Sequence, residues 1–119
     1  MNKRVLVIDD DKALRLLYEK ELSHRGYHVE TTGSARQGIA LVASGHFDLV
    51  ILDIEMPDMI GLEALAELRQ AAPTTRVVIN SAYSTYKADF KSWLADDYVV
   101  KSSDLEPLLQ KISDLTVSS

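Results

Sequence analysis

The chain has 119 residues, 46% hydrophobic and 26% charged, a balance that builds one sizeable core and excludes a disordered chain. Thirteen basic residues against 18 acidic ones leave a formal charge of −5, which argues against nucleic acid as a partner because phosphate contacts need a basic face. Cysteine is absent, so disulfides, thiolate metal sites and cysteine nucleophiles are excluded, and no apolar run approaches a membrane span or a signal-peptide core. The default location is the cytoplasm.

In chain order, VLVI (5–8) is a short aliphatic run of the kind expected for a strand covered on both faces. It ends on three adjacent carboxylates, Asp9, Asp10 and Asp11. From Lys12 to about Arg25 the pattern turns helical, with Leu14, Leu17, Tyr18 and Leu22 on one stripe and Gly26 as a left-handed cap. YHVET (27–31) alternates as a strand, and Ser34 with Gln37 forms a capping box before Ile39, Val42 and Ala43. DLVIL (48–52) is a second apolar strand, ending on Asp53. EMPDMIG (55–61) is a loop, and Leu62, Leu65 and Leu68 lead a helix. RVVIN (76–80) is a buried strand, Lys87–Leu94 a helix of mixed character, and YVV (98–100) a brief strand. An amphipathic helix carrying Leu105, Leu108, Leu109, Ile112 and Leu115 closes the chain.

Five strands alternating with five helices, and no linker, repeat or low-complexity stretch, predict one parallel α/β domain over residues 1–119. In such sheets function gathers beyond the carboxyl ends of the strands. Every chemically notable residue stands at such an end: Asp9 to Asp11, Asp53, Ser81 and Lys101. Each has an ordinary reading as well. An Asp at a strand–helix junction is a favoured N-cap, and Asp11 is assigned to the cap or first turn. Ser81 suits a cap for the next helix, and a lone lysine is usually a surface residue. As a set they suggest more. Converging carboxylates with no nearby histidine or cysteine suit a hard cation with oxygen ligands, Mg²⁺ above all. An EF-hand fails on spacing, because counting from Asp9 puts Leu14 at the glycine position and Lys20 at the glutamate position. Carboxylates, a hydroxyl and an ammonium together can hold a divalent cation and a phosphoryl group.

In order and spacing, nearly the whole chain resembles the receiver domain of two-component response regulators. VLVIDDD is similar to the family's acidic pair, which implies Asp9 and Asp10 in the metal site with Asp10 the direct ligand. VILDIEMPDMIG is similar to the family's D-x-x-M-P-x-x-x-G loop, which implies Asp53 as phosphoacceptor. VVINSA places Ser81 at the switch hydroxyl, and YVVK places Tyr98 at the switch aromatic and Lys101 at the family's lysine. The resemblance implies a flavodoxin-like, doubly wound five-stranded sheet of order 2-1-3-4-5 in a three-layer sandwich. It also implies Mg²⁺, with Mn²⁺ as a substitute, held by Asp9, Asp10, Asp53 and the backbone carbonyl of Glu55. The implied activity is that of a signalling phosphoacceptor and not of an enzyme on other substrates. Asp53 takes a phosphoryl group from a histidine kinase or histidine phosphotransfer protein, and Ser81, Lys101 and Tyr98 respond. The surface of the fourth helix, fifth strand and fifth helix then controls a downstream protein target or phosphoryl relay. No membrane or nucleic-acid contact is implied, and the expected state is a monomer or a phosphorylation-dependent dimer.

The chain departs from the family pattern in places. Ser102 stands where proline usually follows the lysine, so the preceding peptide bond is either trans with an altered loop or strained, a cis bond before serine costing roughly 3–4 kcal/mol. Asp96 and Asp97 replace small residues and are expected to add negative charge to a partner surface. Tyr83 is expected to shield the acyl phosphate from water, and Glu55 either pairs with Lys101 or is solvated. Tyr83, Tyr86, Phe90, Trp93 and Tyr98 are read equally as core and as partner surface. Two other functions fit parts of the sequence: a pseudo-receiver that is never phosphorylated, and a haloacid-dehalogenase-like phosphatase with Asp9 as nucleophile and Asp11 as general acid. Ala13 in place of Thr or Val weakens the latter. With 119 residues as the natural length, output would be through binding.

Overall fold

The computed structural model describes residues 2–83 and 95–117. Five strands, β1 (Arg4–Ile8), β2 (His28–Thr32), β3 (Leu49–Leu52), β4 (Arg76–Ser81) and β5 (Asp97–Val100), form one parallel sheet of order β2-β1-β3-β4-β5. The described helices are α1 (Lys12–His24), α2 (Ala35–Ser44), α3 (Gly61–Ala71) and a C-terminal helix, Glu106–Thr116. This is the predicted doubly wound α/β architecture, with four of the five predicted helices described. The predicted helix Lys87–Leu94, and with it Tyr86, Phe90 and Trp93, lies outside the described residues.

The strands are continuous aliphatic runs because both faces of the sheet are covered. Alternation divides their side chains: Leu6, Ile8, Val50, Leu52, Val77 and Ile79 pack with α2 and α3, while Val5, Val7, Leu49, Ile51, Val78 and Val99 pack with α1 and the C-terminal helix. The inward stripes of the helices are narrower than their periodicity suggests. Leu17, expected on the α1 stripe, is 41% exposed, because Tyr18 and Leu22, one turn apart, make the buried contact. Ala43 and Leu62 are likewise exposed, and the buried stripes of α2 and α3 run through Gly38 and Val42 and through Ala64, Leu65 and Leu68.

Helix ends follow local chemistry. At the end of α1, Gly26 adopts φ +92°, and the amides of Gly26 and Tyr27 donate back to the Ser23 and Leu22 carbonyls at 3.1 Å each, the Schellman closure that glycine permits. Only half of the predicted capping box forms at α2. Ser34 Oγ accepts from the Gln37 amide at 3.1 Å, but Gln37 Oε1 accepts from Thr32 Oγ1 at 2.5 Å instead of returning to the Ser34 amide. The Asp58 carboxylate takes over, accepting from the Ala35 and Arg36 amides and the Ser34 hydroxyl at 3.0–3.1 Å. These charge-assisted bonds hold the Asp58 carboxyl below its ordinary value and tie the loop after Asp53 to α2.

Candidate functional site

The ladder continues one residue beyond β1 and β3. The Asp9 amide donates to the Thr32 carbonyl at 3.1 Å and the Asp53 amide to the Ile8 carbonyl at 2.9 Å. Both aspartates are therefore backbone-anchored at the carboxyl edge, side by side on adjacent strands, and buried at 2% and 4% exposure. Alternation places Asp9, Asp53, Asn80 and Lys101 on the face that packs α1, each two residues past an apolar residue of that face.

The three consecutive aspartates separate into different roles. Asp11 is the N-cap of α1, its Oδ1 accepting from the Ala13 and Leu14 amides at 2.9 and 3.2 Å. This is the cap role expected of Asp11 from the sequence. Asp9 Oδ1 accepts from the Asp11 amide at 2.9 Å, and its backbone carbonyl accepts from Arg15 Nη1 at 2.7 Å. Asp10 is exposed at the rim. Carboxylate oxygens of Asp9, Asp10 and Asp53 come within 4.8 Å of one another, an oxygen-only donor set that fits a small hard cation such as Mg²⁺.

Lys101 crosses to this group. Its Nζ lies 2.9 Å from Asp9 Oδ2 and 3.1 Å from Asp53 Oδ2. Burial works against the ammonium, but the Asp9 and Asp53 carboxylates outweigh it, and the Lys101 pKa is raised. Burial pushes the Asp9 carboxyl upward, against the opposing pull of the Asp11 amide and Lys101. The Lys101–Ser102 bond is trans, and in the loop that follows Ser102 Oγ accepts from the Asp104 amide and Asp104 Oδ1 from the Glu106 amide, each at 3.1 Å. Serine in place of proline therefore leaves Lys101 within reach of both carboxylates. Since Lys101 pairs with these two, Glu55 is left exposed to solvent.

The loop after Asp53 is braced on several sides. Asp53 Oδ1 accepts from the Glu55 amide at 2.9 Å, and Glu55 and Ile60 form an isolated antiparallel bridge. At Gly61 a Cβ would fall 2.7 Å from Ile54 Cβ, so the loop and the start of α3 meet closely enough to require glycine. Ser81 is fully buried, its hydroxyl accepting from the Tyr83 amide at 3.1 Å and its carbonyl from the Lys101 amide at 2.6 Å. Tyr98 is buried in the core, and its phenol donates to the Tyr83 carbonyl, while the Tyr83 side chain is exposed.

The expectation for Asp96 and Asp97 is corrected. Asp96 pairs with Arg69 and, at 3.2 Å, with Arg76, and it accepts from the Val77 amide at 2.7 Å. Asp97 pairs with Lys111 at 3.1 Å. Their charges are compensated within the molecule and do not accumulate on a partner surface. Other contacts were not foreseen. Tyr18, Asn80 and Arg15 reach the site or its supports through bonds between distant positions, and the single hint was a polar Asn closing the strand run RVVIN.

Fold and site define a doubly wound α/β protein with an aspartate cluster and the Lys101 ammonium at its carboxyl edge. The family model for the response regulator receiver domain matches residues 5–113. The response regulator ArlR of Staphylococcus aureus is 36% identical over 110 residues, which cover 92% of this chain and 50% of that protein. The chain thus spans about half the length of the curated relatives it matches. The response regulator TrrA of Thermotoga maritima, solved in complex with Mg²⁺ and BeF, superposes with a TM-score of 0.89 at 42% identity, covering 95% of this chain and 98% of that one. A structure of histidine kinase ThkA in complex with TrrA gives 0.88 at 41%, covering 97% and 99%. A CheY-like receiver from Methanospirillum hungatei gives 0.88 at 31%, covering 96% and 93%. The chain belongs to the response regulator receiver family, the signalling arm of two-component systems.

Proposed function

We propose that Asp53 accepts a phosphoryl group from a phosphohistidine on a histidine kinase or phosphotransfer protein, and that the protein acts in the cytoplasm as a switch for a downstream target. The observation that carries this reading is the convergence of Asp9, Asp10 and Asp53 within 4.8 Å, with Lys101 Nζ on two of them. The TrrA complexes, one with Mg²⁺ and BeF and one with a histidine kinase, support it by analogy.

Asp53 attacks the phosphorus through a carboxylate oxygen. The N–P bond breaks, its electron pair stays on the imidazole nitrogen, and that nitrogen takes up a proton from solvent. Asp9, Asp10, Asp53 and the Glu55 carbonyl would hold a Mg²⁺, which would supply Lewis-acid neutralisation of phosphoryl charge. Lys101 moves its ammonium from the carboxylates toward the new phosphoryl oxygens, and Ser81 donates its hydroxyl there. Tyr98, two register positions from Ser81 and bonded to the Tyr83 carbonyl, then carries the change toward β5 and the segment after β4. Tyr83 covers the approach of water to the acyl phosphate. These steps are self-modification and do not turn over a separate substrate.

Intact-mass measurement after acetyl phosphate and Mg²⁺ tests the reading. One added phosphoryl mass is expected, and none in Asp53→Asn. No gain in the unmodified protein would support a pseudo-receiver, and a gain that survives Asp53→Asn would move the acceptor elsewhere.

A further inference from the structure

Beneath the site lie two buried polar side chains that the chemistry above does not use. Tyr18, on α1, donates its phenol proton to Asn80 Oδ1 at 2.6 Å, across 62 positions of sequence. Asn80 Nδ2 donates to the Val99 carbonyl on β5 at 3.0 Å. Both side chains are buried, at 3% and 2% exposure, in a layer otherwise built largely of Val, Leu and Ile. Polar groups in such a layer are costly unless bonded, and apolar residues of similar shape in both positions would hold it about equally well. Packing alone therefore gives no reason for the pair. Its place in the sheet does.

Strand β4 lies between β5 and β3, so Lys101 must span the end of β4 to meet Asp53, two strand spacings or about 10 Å away. Asn80 is the residue of β4 on that same face at that height. The β5 end is tied to β4 at adjacent points, by Asn80 Nδ2 to the Val99 carbonyl and by the Lys101 amide to the Ser81 carbonyl at 2.6 Å. Tyr18 then ties β4 to α1, the helix that Asp11 caps at the site. Burial pushes the Tyr18 phenol up to about 12, and Lys101, Asp9 and Asp53 stand close enough to act on it. The chain from α1 through β4 to β5 ends two residues before the ammonium.

Resting on the phosphoacceptor reading, we propose that Tyr18 and Asn80 are positioning residues, which fix the strand end carrying Lys101 so that its ammonium reaches Asp53 and phosphoryl oxygens delivered there. The pair touches no reacting atom and acts through the β5 backbone.

Three variants test this: Tyr18→Phe, Asn80→Leu and the two combined. Each single change leaves a buried polar partner unbonded, whereas the double change leaves two apolar groups in contact. The thermal midpoint should therefore fall in each single variant and recover in part in the double, which still lacks the Asn80 bond to the Val99 carbonyl. The positioning role should not recover. In the double variant the backbone amide resonance of Lys101 should remain displaced without Mg²⁺ present. The maximal rate of phosphoryl uptake from acetyl phosphate should stay about tenfold low, with the half-saturating concentration little changed, as misplacement of a catalytic group produces. A double variant with wild-type midpoint, wild-type amide shifts and wild-type rate would overturn the proposal and leave the pair a core contact. Slow uptake with an undisplaced Lys101 amide would also overturn it, since the effect would not run through the strand end. If the unmodified protein takes no phosphoryl group, the phosphoacceptor reading fails, and the amide shifts still decide whether the pair positions Lys101.

Discussion

Two partly or fully buried charge clusters sit near opposite ends of the sheet, and they are balanced in opposite senses. Near the start of β4, Asp96 is one carboxylate facing two guanidinium groups, Arg69 and Arg76, with the Val77 amide as a further donor. At the carboxyl edge, Lys101 is one ammonium facing Asp9 and Asp53, with Asp10 beside them. The first cluster is closed: its carboxylate has donors on both oxygens, and its task is to join α3, β4 and the segment entering β5. The second is short of positive charge. Buried carboxylates left in excess repel one another, and a cation that joined them would relieve that repulsion. Negative residues thus hold the fold at one end, and at the other they form the oxygen-rich cluster that fits a cation.

The contrast can be broken from either side. The largest effect is expected at Lys101. Lys101→Met removes the ammonium that pairs with the Asp9 and Asp53 carboxylates, and the loss of a partner from a buried pair costs about 3 kcal/mol. Added Mg²⁺ should restore much of that stability, and denaturant unfolding with and without Mg²⁺ measures both. Asp96→Ala should cost about 2 kcal/mol by removing the carboxylate that pairs with Arg69 and Arg76 and accepts from the Val77 amide. Mg²⁺ should not repair this variant, and its phosphoryl uptake should be unchanged. If Mg²⁺ rescued both variants equally, the two clusters would not differ as described.

A smaller effect is expected at high pH. The Tyr18 phenol holds its proton more tightly folded than unfolded, being raised from 10.0 to about 12. Its contribution is therefore full below pH 10 and is lost as pH rises through 12. Between those limits the unmodified protein should lose on the order of 2 kcal/mol more than Tyr18→Phe. Parallel stability curves for the two would remove the buried phenol from the account. The smallest effect belongs to Ser102→Ala, which deletes the bond from the Asp104 amide and should cost less than about 1 kcal/mol with uptake retained. A large loss of uptake would show that this hydroxyl holds Lys101 in place.

Much of this was legible in the sequence because it is local or periodic. Aliphatic runs covered on both faces reveal strands, and residues that interrupt them at the carboxyl end reveal the site, so Asp9, Asp53, Ser81 and Lys101 stand out before any coordinates. The division of Asp9 to Asp11 into a strand end and a cap follows from the preference of Asp for N-caps. What the sequence concealed depends on partners far away in the chain. Asp96 reads as an exposed charge until Arg69 and Arg76 come to it, and Tyr18 reads as one more member of an apolar stripe until Asn80 meets its hydroxyl. The α2 cap shows the same limit, since Asp58, 24 positions from Ser34, displaces Gln37 from its expected role. Leu17 and Leu62 fit the helical period yet face outward, because Tyr18 and Leu22 in α1 and Ala64, Leu65 and Leu68 in α3 make the buried contacts.

The central claim, that the carboxyl edge is a cation site because its carboxylates outnumber Lys101, is tested most directly by thermal unfolding across a Mg²⁺ titration. The unmodified protein should gain stability with Mg²⁺, by about 2.7 kcal/mol at a hundredfold excess over its dissociation constant. Asp96→Ala should show the same gain, and Asp10→Asn should lose most of it. A midpoint in the unmodified protein that does not move with Mg²⁺, or an equal gain in Asp10→Asn, would contradict the account.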